Sequence, residues 1–401
     1  MALRLVLVAA LSLLLGAGAG WAARSRRANP EPAPEAPSLE PVPEPSPPPP
    51  SEPAPEDALH NDLFPDGLPL ALEALPAGLA NLTAQQCAAC HWDVHAGWET
   101  SAHATGWSGD VFRQAVRDAS SPATCLECHL PLAAQQPTLA ERYVDGDMAA
   151  PIHRPNEAWN PSLMEEGVTC AACHVRNGRV IGIRAAPDAP HPVEPSAALS
   201  HSAACATCHQ RVFPGSAAPW YDTYGEWYRS PYREAGVRCQ DCHMPPRSGV
   251  PSPARPAAFA GHAFEAHPGR AVSVLVTLPA AEVDRGQPFE FRIRVQNTGA
   301  GHAFPTGHPG RVVRLEAGLV SADGKALHAP LVHVFARTVD EAPPFAVTAD
   351  TRLPPHGEVD LSLATTVPVK EKPGPATLRV TLSETGAADP LIVRSIPVTV
   401  R

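Results

Sequence analysis

All ten cysteines of the chain stand in one recurring motif, in which two cysteines are separated by two residues and followed directly by histidine. The two thiols of such a motif can add across the two vinyl groups of a haem, and the adjacent imidazole then becomes the proximal ligand of the iron. The sequence therefore predicts five covalently bound haem c groups, at Cys87-Ala-Ala-Cys90-His91, Cys125-Leu-Glu-Cys128-His129, Cys170-Ala-Ala-Cys173-His174, Cys205-Ala-Thr-Cys208-His209 and Cys239-Gln-Asp-Cys242-His243.

Three other uses of paired cysteines compete with haem attachment. Ten cysteines in an exported chain could form disulfides, Cys-x-x-Cys pairs could bind zinc, and either arrangement could act as a redox dithiol. None of these uses needs a histidine directly after every second cysteine. Five such histidines, in a chain with 18 histidines among 401 residues, favour haem attachment.

Each haem iron also has a second face, and many histidines outside the motifs could bind there. Methionine is scarce, since only Met148, Met164 and Met244 follow the N-terminal segment. Methionine ligation raises the haem potential relative to bis-histidine ligation. We therefore expect mostly bis-histidine haems of low potential.

The elements that would position these groups differ between the two parts of the chain. The close spacing of the motifs, all between residues 87 and 243, predicts a haem-cored, mostly helix-and-loop multihaem cytochrome domain. After Arg270 the cysteines stop, and short alternating runs typical of an antiparallel, immunoglobulin-like β-sandwich domain follow. These predicted strands are 272–278, 289–296, 312–319, 332–335, 359–364, 376–382 and 391–400.

The N-terminal part has the composition of a targeting segment and a linker. Residues 1–23 combine an early arginine, an apolar run and small residues, which predicts a signal peptide. A retained N-terminal membrane anchor is the alternative, because the run approaches the about 20 residues that span a bilayer. Residues 24–58 are rich in Pro and Glu and predict a disordered, extended linker. We assign 59–268 to the pentahaem domain and 269–401 to the β-sandwich domain.

The charge balance limits the partners. A formal net charge of -10 argues against nucleic acid, whose phosphates require an excess of Lys and Arg. We expect redox partner proteins, either a quinol-linked or a periplasmic donor and acceptor. The expected location is the periplasm, with tethering to the cytoplasmic membrane or an extracellular site as alternatives.

Several stretches besides the motifs are shared with a known family. They are Trp98-Glu99-Thr100-Ser101-Ala102-His103-Ala104, Gly261-His262-Ala263-Phe264 and Asn297-Thr298-Gly299-Ala300-Gly301-His302-Ala303-Phe304-Pro305. In these stretches the chain resembles exported multihaem c-type cytochromes related to cytochrome c554, in the cytochrome c-552/4-like class. The resemblance implies that His103 is a distal iron ligand. It also makes His302, His262, His191 and His153 candidates for the remaining distal positions.

The resulting hypothesis is an exported pentahaem cytochrome that relays electrons, without catalytic residues. The first alternative is a multihaem reductase or oxidase of small nitrogen or sulfur species, which would need one open iron coordination site. Pentahaem nitrite reductases have a Cys-x-x-Cys-Lys motif at the active haem, and this sequence has none. The second alternative is a subunit of an extracellular haem filament.

The motif count predicts the mass of the mature protein. Since all ten thiols lie in attachment motifs, we expect five covalently bound haems per chain. Intact mass spectrometry of protein matured with the haem-attachment machinery, together with haem staining of a denaturing gel, measures this number. Three or fewer haems in correctly matured protein would refute the interpretation of the motifs.

Overall fold

The computed structural model describes residues 52–401, except 73, 119–121, 144–150, 214–215, 254 and 341. The described residues belong to one compact unit, Pro49–Arg401. The predicted signal peptide or anchor, most of the predicted linker, and Met148 lie outside the described residues.

The helices of the described residues are short, and none is long and apolar enough to cross a membrane. The longest has nine residues. They are α1 Ala84–Ala88, α2 Trp92–Glu99, α3 Asp110–Asp118, α4 Pro122–His129, α5 Pro161–Met164, α6 Cys170–His174, α7 Ala203–His209, α8 Thr223–Tyr228, α9 Pro231–Glu234, α10 Cys239–His243 and α11 Pro268–Ala271, with 3-10 turns at Ala133–Gln135 and Ala197–Ser200.

Four of these helices end on the histidine of an attachment motif. In α4, α6, α7 and α10 the two cysteines and the histidine form the last turn or turns of the helix. The first motif differs, because its Cys87 lies in α1 and its His91 caps the start of α2. A single helical turn therefore presents two thiols and one imidazole together, as the three-residue offset of the cysteines requires.

The chain between the motif helices forms small sheets. The strands are β1 Thr138–Tyr143, β2 Pro151–Pro155, β3 Val175–Arg176, β4 Arg179–Gly182, β5 Val193–Pro195, β6 Gln210–Val212, β7 Pro219–Asp222, β8 Pro246–Ser252 and β9 Arg255–Ala260. They pair as β1-β2, β3-β4-β5, β6-β7 and β8-β9, and all of these pairs are antiparallel except β4 with β5. Two of the sheets begin where a motif helix ends, since β3 follows α6 and β6 follows α7 directly.

The predicted fold class, with a mostly helix-and-loop, haem-cored domain, is wrong. Helix makes up only 21% of the described residues, and the chain is mostly strands and loops with many small sheets. Proline explains part of the difference, because it interrupts helices and is tolerated at sheet edges. This part of the chain also has side-chain clusters of its own, one of which includes Leu63, Leu132 and Leu163.

Two larger sheets form the C-terminal part. Their strands are β10 Val272–Thr277, β11 Glu282–Val283, β12 Pro288–Asn297, β13 Val313–Ser321, β14 Leu331–Phe335, β15 Arg337–Val339, β16 Val347–Asp350, β17 Glu358–Thr366, β18 Gly374–Glu384 and β19 Ile392–Val400. One sheet has the order β10-β12-β17, the other β11-β19-β18-β13-β14, and β15 pairs with β16 separately. Each of the seven runs predicted as strands overlaps one of these strands.

The two sheets share one apolar core. Buried and more exposed residues alternate along β12, β13 and β18, as expected when one face of a strand is covered. Phe291 and Ile293 of β12 are fully buried against Leu315 of β13 and Leu378 of β18. This core fixes the ends of β12 and β13, between which the loop with His302 lies.

The stability of this core can be tested with a matched pair of leucines. Leu315→Ala removes a side chain with no exposed surface and is expected to lower the free energy of unfolding by about 2–5 kcal/mol. Leu275→Ala is the control, because Leu275 is 62% exposed and its loss should cost under about 0.5 kcal/mol. Urea unfolding followed by far-ultraviolet circular dichroism measures the free energy of unfolding of both variants. An equal loss of that free energy in the two variants would contradict the sheet packing.

Candidate functional site

Four of the five motif histidines face a second histidine across a narrow range of distances. The ring centres are 5.9 Å apart for His91 and His191, 6.1 Å for His174 and His262, 6.3 Å for His209 and His103, and 6.2 Å for His243 and His302. Metal–imidazole bonds of about 2 Å on opposite sides of one ion, plus the two ring radii, place ring centres roughly 6 Å apart. The spacing therefore fits two axial ligands of one iron.

Backbone carbonyls orient five of these eight imidazoles. Among the motif histidines, Nδ1 of His91 lies 2.7 Å from the backbone oxygen of Pro251, Nδ1 of His174 lies 3.0 Å from that of Ile181, and Nδ1 of His243 lies 2.6 Å from that of Glu265. Among the facing histidines, Nδ1 of His262 lies 2.7 Å from the backbone oxygen of Ala260, and Nδ1 of His302 lies 3.0 Å from that of Ala303. A carbonyl oxygen only accepts, so Nδ1 carries the proton and donates it. Nε2 is then left with the lone pair that a metal needs.

Burial keeps four of the paired imidazoles neutral. It lowers the pKa of His209 and of His262 to about 4, with neighbouring histidines adding to the shift. The pKa of His103 is likewise about 4, first from burial and then from His209. Burial also lowers the pKa of His302. A neutral imidazole is the form that binds a metal, so these four imidazoles are in the ligating state at neutral pH.

The fifth motif histidine, His129, has different surroundings. Its Nδ1 donates to the Gly106 oxygen at 2.6 Å, as Nδ1 of His91, His174 and His243 does to other carbonyls. Its ring stacks on Phe112 of α3, with ring centres 3.6 Å apart. Within the described part of the chain no second imidazole is paired with His129 at the distance found in the other four sites.

The cysteines connect the motifs to one another. The structure describes all ten, and none of them is in a disulfide. A hydrogen bond with Cys170 lowers the pKa of Cys87, one with Cys208 lowers that of Cys128, and one with Cys205 lowers that of Cys239. The first motif therefore adjoins the third, the second adjoins the fourth, and the fourth adjoins the fifth.

The donor set fits haem better than a bare metal ion. In the described residues no group of three or more His, Cys, Asp or Glu side chains could enclose a metal by itself. A haem supplies four ligands of its own and asks the protein for only two axial ones. Each of four sites provides two thiols beside one imidazole, and a second imidazole across a gap.

One predicted distal ligand is not near a motif histidine. His153 lies exposed on β2, where its Nδ1 is 3.4 Å from the Thr138 hydroxyl. The structure brings together the other predicted candidates, His103, His191, His262 and His302, each with one motif histidine. The role of His153 as a ligand stays a prediction.

Sequence reasoning missed the groups that hold the imidazoles. The acceptors of Nδ1 are backbone oxygens, which carry no side-chain signal. It also missed Phe112, beside His129, and Glu226, which bonds the loop of His302. Glu226 stands in Glu226-Trp227-Tyr228-Arg229-Ser230-Pro231, close before the fifth motif, and the helical spacing of the aromatic residues there gives no sign that the carboxylate is buried.

The chain has a multihaem cytochrome-like fold. Over 80% of its length, and all of the other chain, it is similar to the crystal structure of a penta-heme cytochrome c552 from Thermochromatium tepidum, with 20% sequence identity and a TM-score of 0.57. Over 32% of its length it is similar to the CARDB domain of a Pyrococcus furiosus protein, covering 87% of that chain with 16% identity and a TM-score of 0.21. No protein-family model matches the chain, and no curated protein matches it.

The pair His243 and His302 generates a spectroscopic prediction. His302→Ala leaves every attachment motif intact, so all five haems should remain bound. One haem in five should become high-spin in the ferric protein and should bind carbon monoxide when reduced, because its iron has lost an axial imidazole. Electron paramagnetic resonance and carbon monoxide difference spectra measure this. A variant with the spin state and carbon monoxide binding of the wild type would contradict the ligand role.

Proposed function

We propose that the protein is an exported pentahaem c-type cytochrome that relays electrons between redox partner proteins. The observation that carries the proposal is the pairing of four motif histidines with second imidazoles at 5.9 to 6.3 Å. Iron with both axial positions filled exchanges electrons without binding a substrate. Bis-histidine ligation also favours low potentials.

The residues of the chain contribute binding, orientation and proximity. When bound, the haems would supply a reversible one-electron change at each iron. The Cys-x-x-Cys turns hold them, and the carbonyl-bonded imidazoles fix the axial direction. The sulfurs of Cys87, Cys128 and Cys205 lie beside those of Cys170, Cys208 and Cys239, so neighbouring sites are close together. Such proximity supports electron transfer from site to site through the protein.

The surroundings of His129 favour a second candidate function. Because Phe112, and not an imidazole, is its ring partner among the described residues, the second site could have an open coordination position. Tyr221 lies near this motif, and burial is the first cause that raises the pKa of Tyr221 to about 12. A neutral phenol beside an open iron could donate a proton to a small bound nitrogen or sulfur species.

A redox titration tests the relay. The fully oxidised protein is expected to take up five electrons per chain in a spectroelectrochemical titration, most of them at low potential. Adding nitrite, hydroxylamine or sulfite to protein adsorbed on an electrode should produce no catalytic current.

The outcomes separate the candidates. Uptake of three or fewer electrons contradicts the pentahaem relay. Five electrons with a sustained catalytic current on one of the three compounds supports the reductase instead. In that case Tyr221→Phe, which removes only the hydroxyl group, should lower the current while leaving the number of electrons unchanged.

A further inference from the structure

The short helix α8 contacts the segments on both sides of the fifth site. The indole Nε1 of Trp227 donates to the Val237 oxygen at 2.8 Å, and Val237 lies two residues before the fifth motif. The neighbouring Glu226 accepts, through Oε2, the amide proton of Ala303 at 3.1 Å. Ala303 directly follows His302, so two consecutive residues of α8 bond the segments that carry the two facing imidazoles.

The carboxylate of Glu226 makes further bonds that fix its position. Its Oε2 also accepts from the Thr306 hydroxyl at 2.6 Å, and its Oε1 accepts from Nη1 of Arg352 at 2.5 Å. The side chains of Glu226 and Arg352 are only 8% and 9% exposed. A buried carboxylate is tolerated when it is paired and fully hydrogen-bonded, and both conditions are met here.

Arg352 anchors this carboxylate to the C-terminal sheets. Its Nε and Nη2 donate to the two oxygens of Asp350, at the end of β16, at 2.8 and 2.7 Å. The residue after it, Leu353, exchanges two backbone hydrogen bonds with Phe304 at 2.8 and 3.0 Å. The ion pair of Glu226 with Arg352 therefore lies between α8 and the β-bridge that Leu353 forms with Phe304, two residues after His302.

The loop itself packs closely on the same helices. A Cβ on Gly301 would lie 3.3 Å from Tyr232 and 3.4 Å from Trp227, so a side chain there would push the loop away from α8 and α9. Asn297 is fully buried and donates through Nδ2 to the His302 oxygen at 2.9 Å. The backbone on each side of the His302 ring is thus bonded, by Asn297 at residue 302 and by Glu226 at residue 303.

We propose that Glu226 is a positioning residue that holds His302 opposite His243 as the axial ligand of the fifth haem. The inference rests on the proposed function, because it assumes a haem between these two imidazoles. Glu226 does not touch the ring. It acts through the Ala303 amide and the Thr306 hydroxyl, and it fixes the loop at the distance that gives 6.2 Å between the ring centres.

The test is the rate at which carbon monoxide displaces His302 in the reduced, fully loaded protein. Carbon monoxide can bind that iron only after the imidazole leaves, so the rate reports how firmly the loop holds it. Glu226→Ala should raise this rate roughly tenfold or more, the factor expected when a hydrogen bond to a charged acceptor is lost. The rates at the other haems should not change. Stopped-flow spectroscopy measures them, and the His302→Ala variant identifies the affected haem.

Three further variants separate positioning from a general loss of stability. Glu226→Gln retains an oxygen that can accept from Ala303 and should stay within about threefold of the wild-type rate. Asp350→Asn weakens another bond of Arg352 without touching the loop, and Glu234→Gln removes an exposed carboxylate on the next helix; both should keep the wild-type rate. If Glu226→Ala does not accumulate, Thr306→Val replaces it, with an expected rise of several-fold.

The possible results distinguish the inference from the function on which it rests. A wild-type rate in Glu226→Ala, with a fast reaction in His302→Ala, overturns the positioning role and leaves the haem ligand in place. A fast reaction in Glu226→Gln or in Asp350→Asn also overturns it, because charge or general stability would then control the rate. Unchanged carbon monoxide binding in His302→Ala shows that the assumed ligation itself is absent.

Discussion

The hydrogen bond from Nδ1 of a histidine to a backbone carbonyl is the interaction on which four of the five candidate sites depend. It assigns the proton to Nδ1 and points Nε2 away from the backbone, toward the facing ring. Without this bond the imidazole ring could flip by 180°, or carry its proton on Nε2, and the facing ring would then meet an N–H donor in place of a lone pair. Six histidines in four of the five sites have this bond, including His129 and His302.

The small sheets position several of the carbonyl oxygens and histidines of these sites. The Pro251 oxygen that holds His91 belongs to β8, the Ile181 oxygen that holds His174 belongs to β4, and His262 follows the end of β9. A ribbon of two strands supplies rigid carbonyls and a loop of defined length. The C-terminal sheets do the same for His302, whose loop begins at the last residue of β12. The fold thus places the second imidazole of each pair from a loop or a strand end.

Part of this organisation could be predicted from the sequence. The five motifs stand out because haem attachment requires two residue types at fixed spacing, and the C-terminal strands stand out because a half-buried strand alternates every two residues. The ribbons between the motifs could not be predicted, since strands such as β3 and β5 have only two and three residues and leave no period. The pairing of His103 with His209 joins residues far apart in sequence, and only the folded chain brings them together.

A buried ion pair joins the two parts of the chain. Glu226 and Arg352 are a buried ion pair with one member in α8 and the other beside β16, and the His302 loop is bonded to both sides. A buried pair of this kind contributes little net stability compared with apolar packing, but breaking it is costly. Its value here is geometric, since it fixes the distance between segments that have no common core.

The central proposal is that four of the five sites would hold a haem iron between two histidines, whereas His129 has no second imidazole opposite it among the described residues. Near-infrared magnetic circular dichroism of the ferric protein tests it most directly, because its charge-transfer bands distinguish bis-histidine, histidine–methionine and five-coordinate haem. The account predicts bis-histidine bands of an intensity equal to four haems and a separate signal for the fifth. Bis-histidine intensity for two haems or fewer would contradict it.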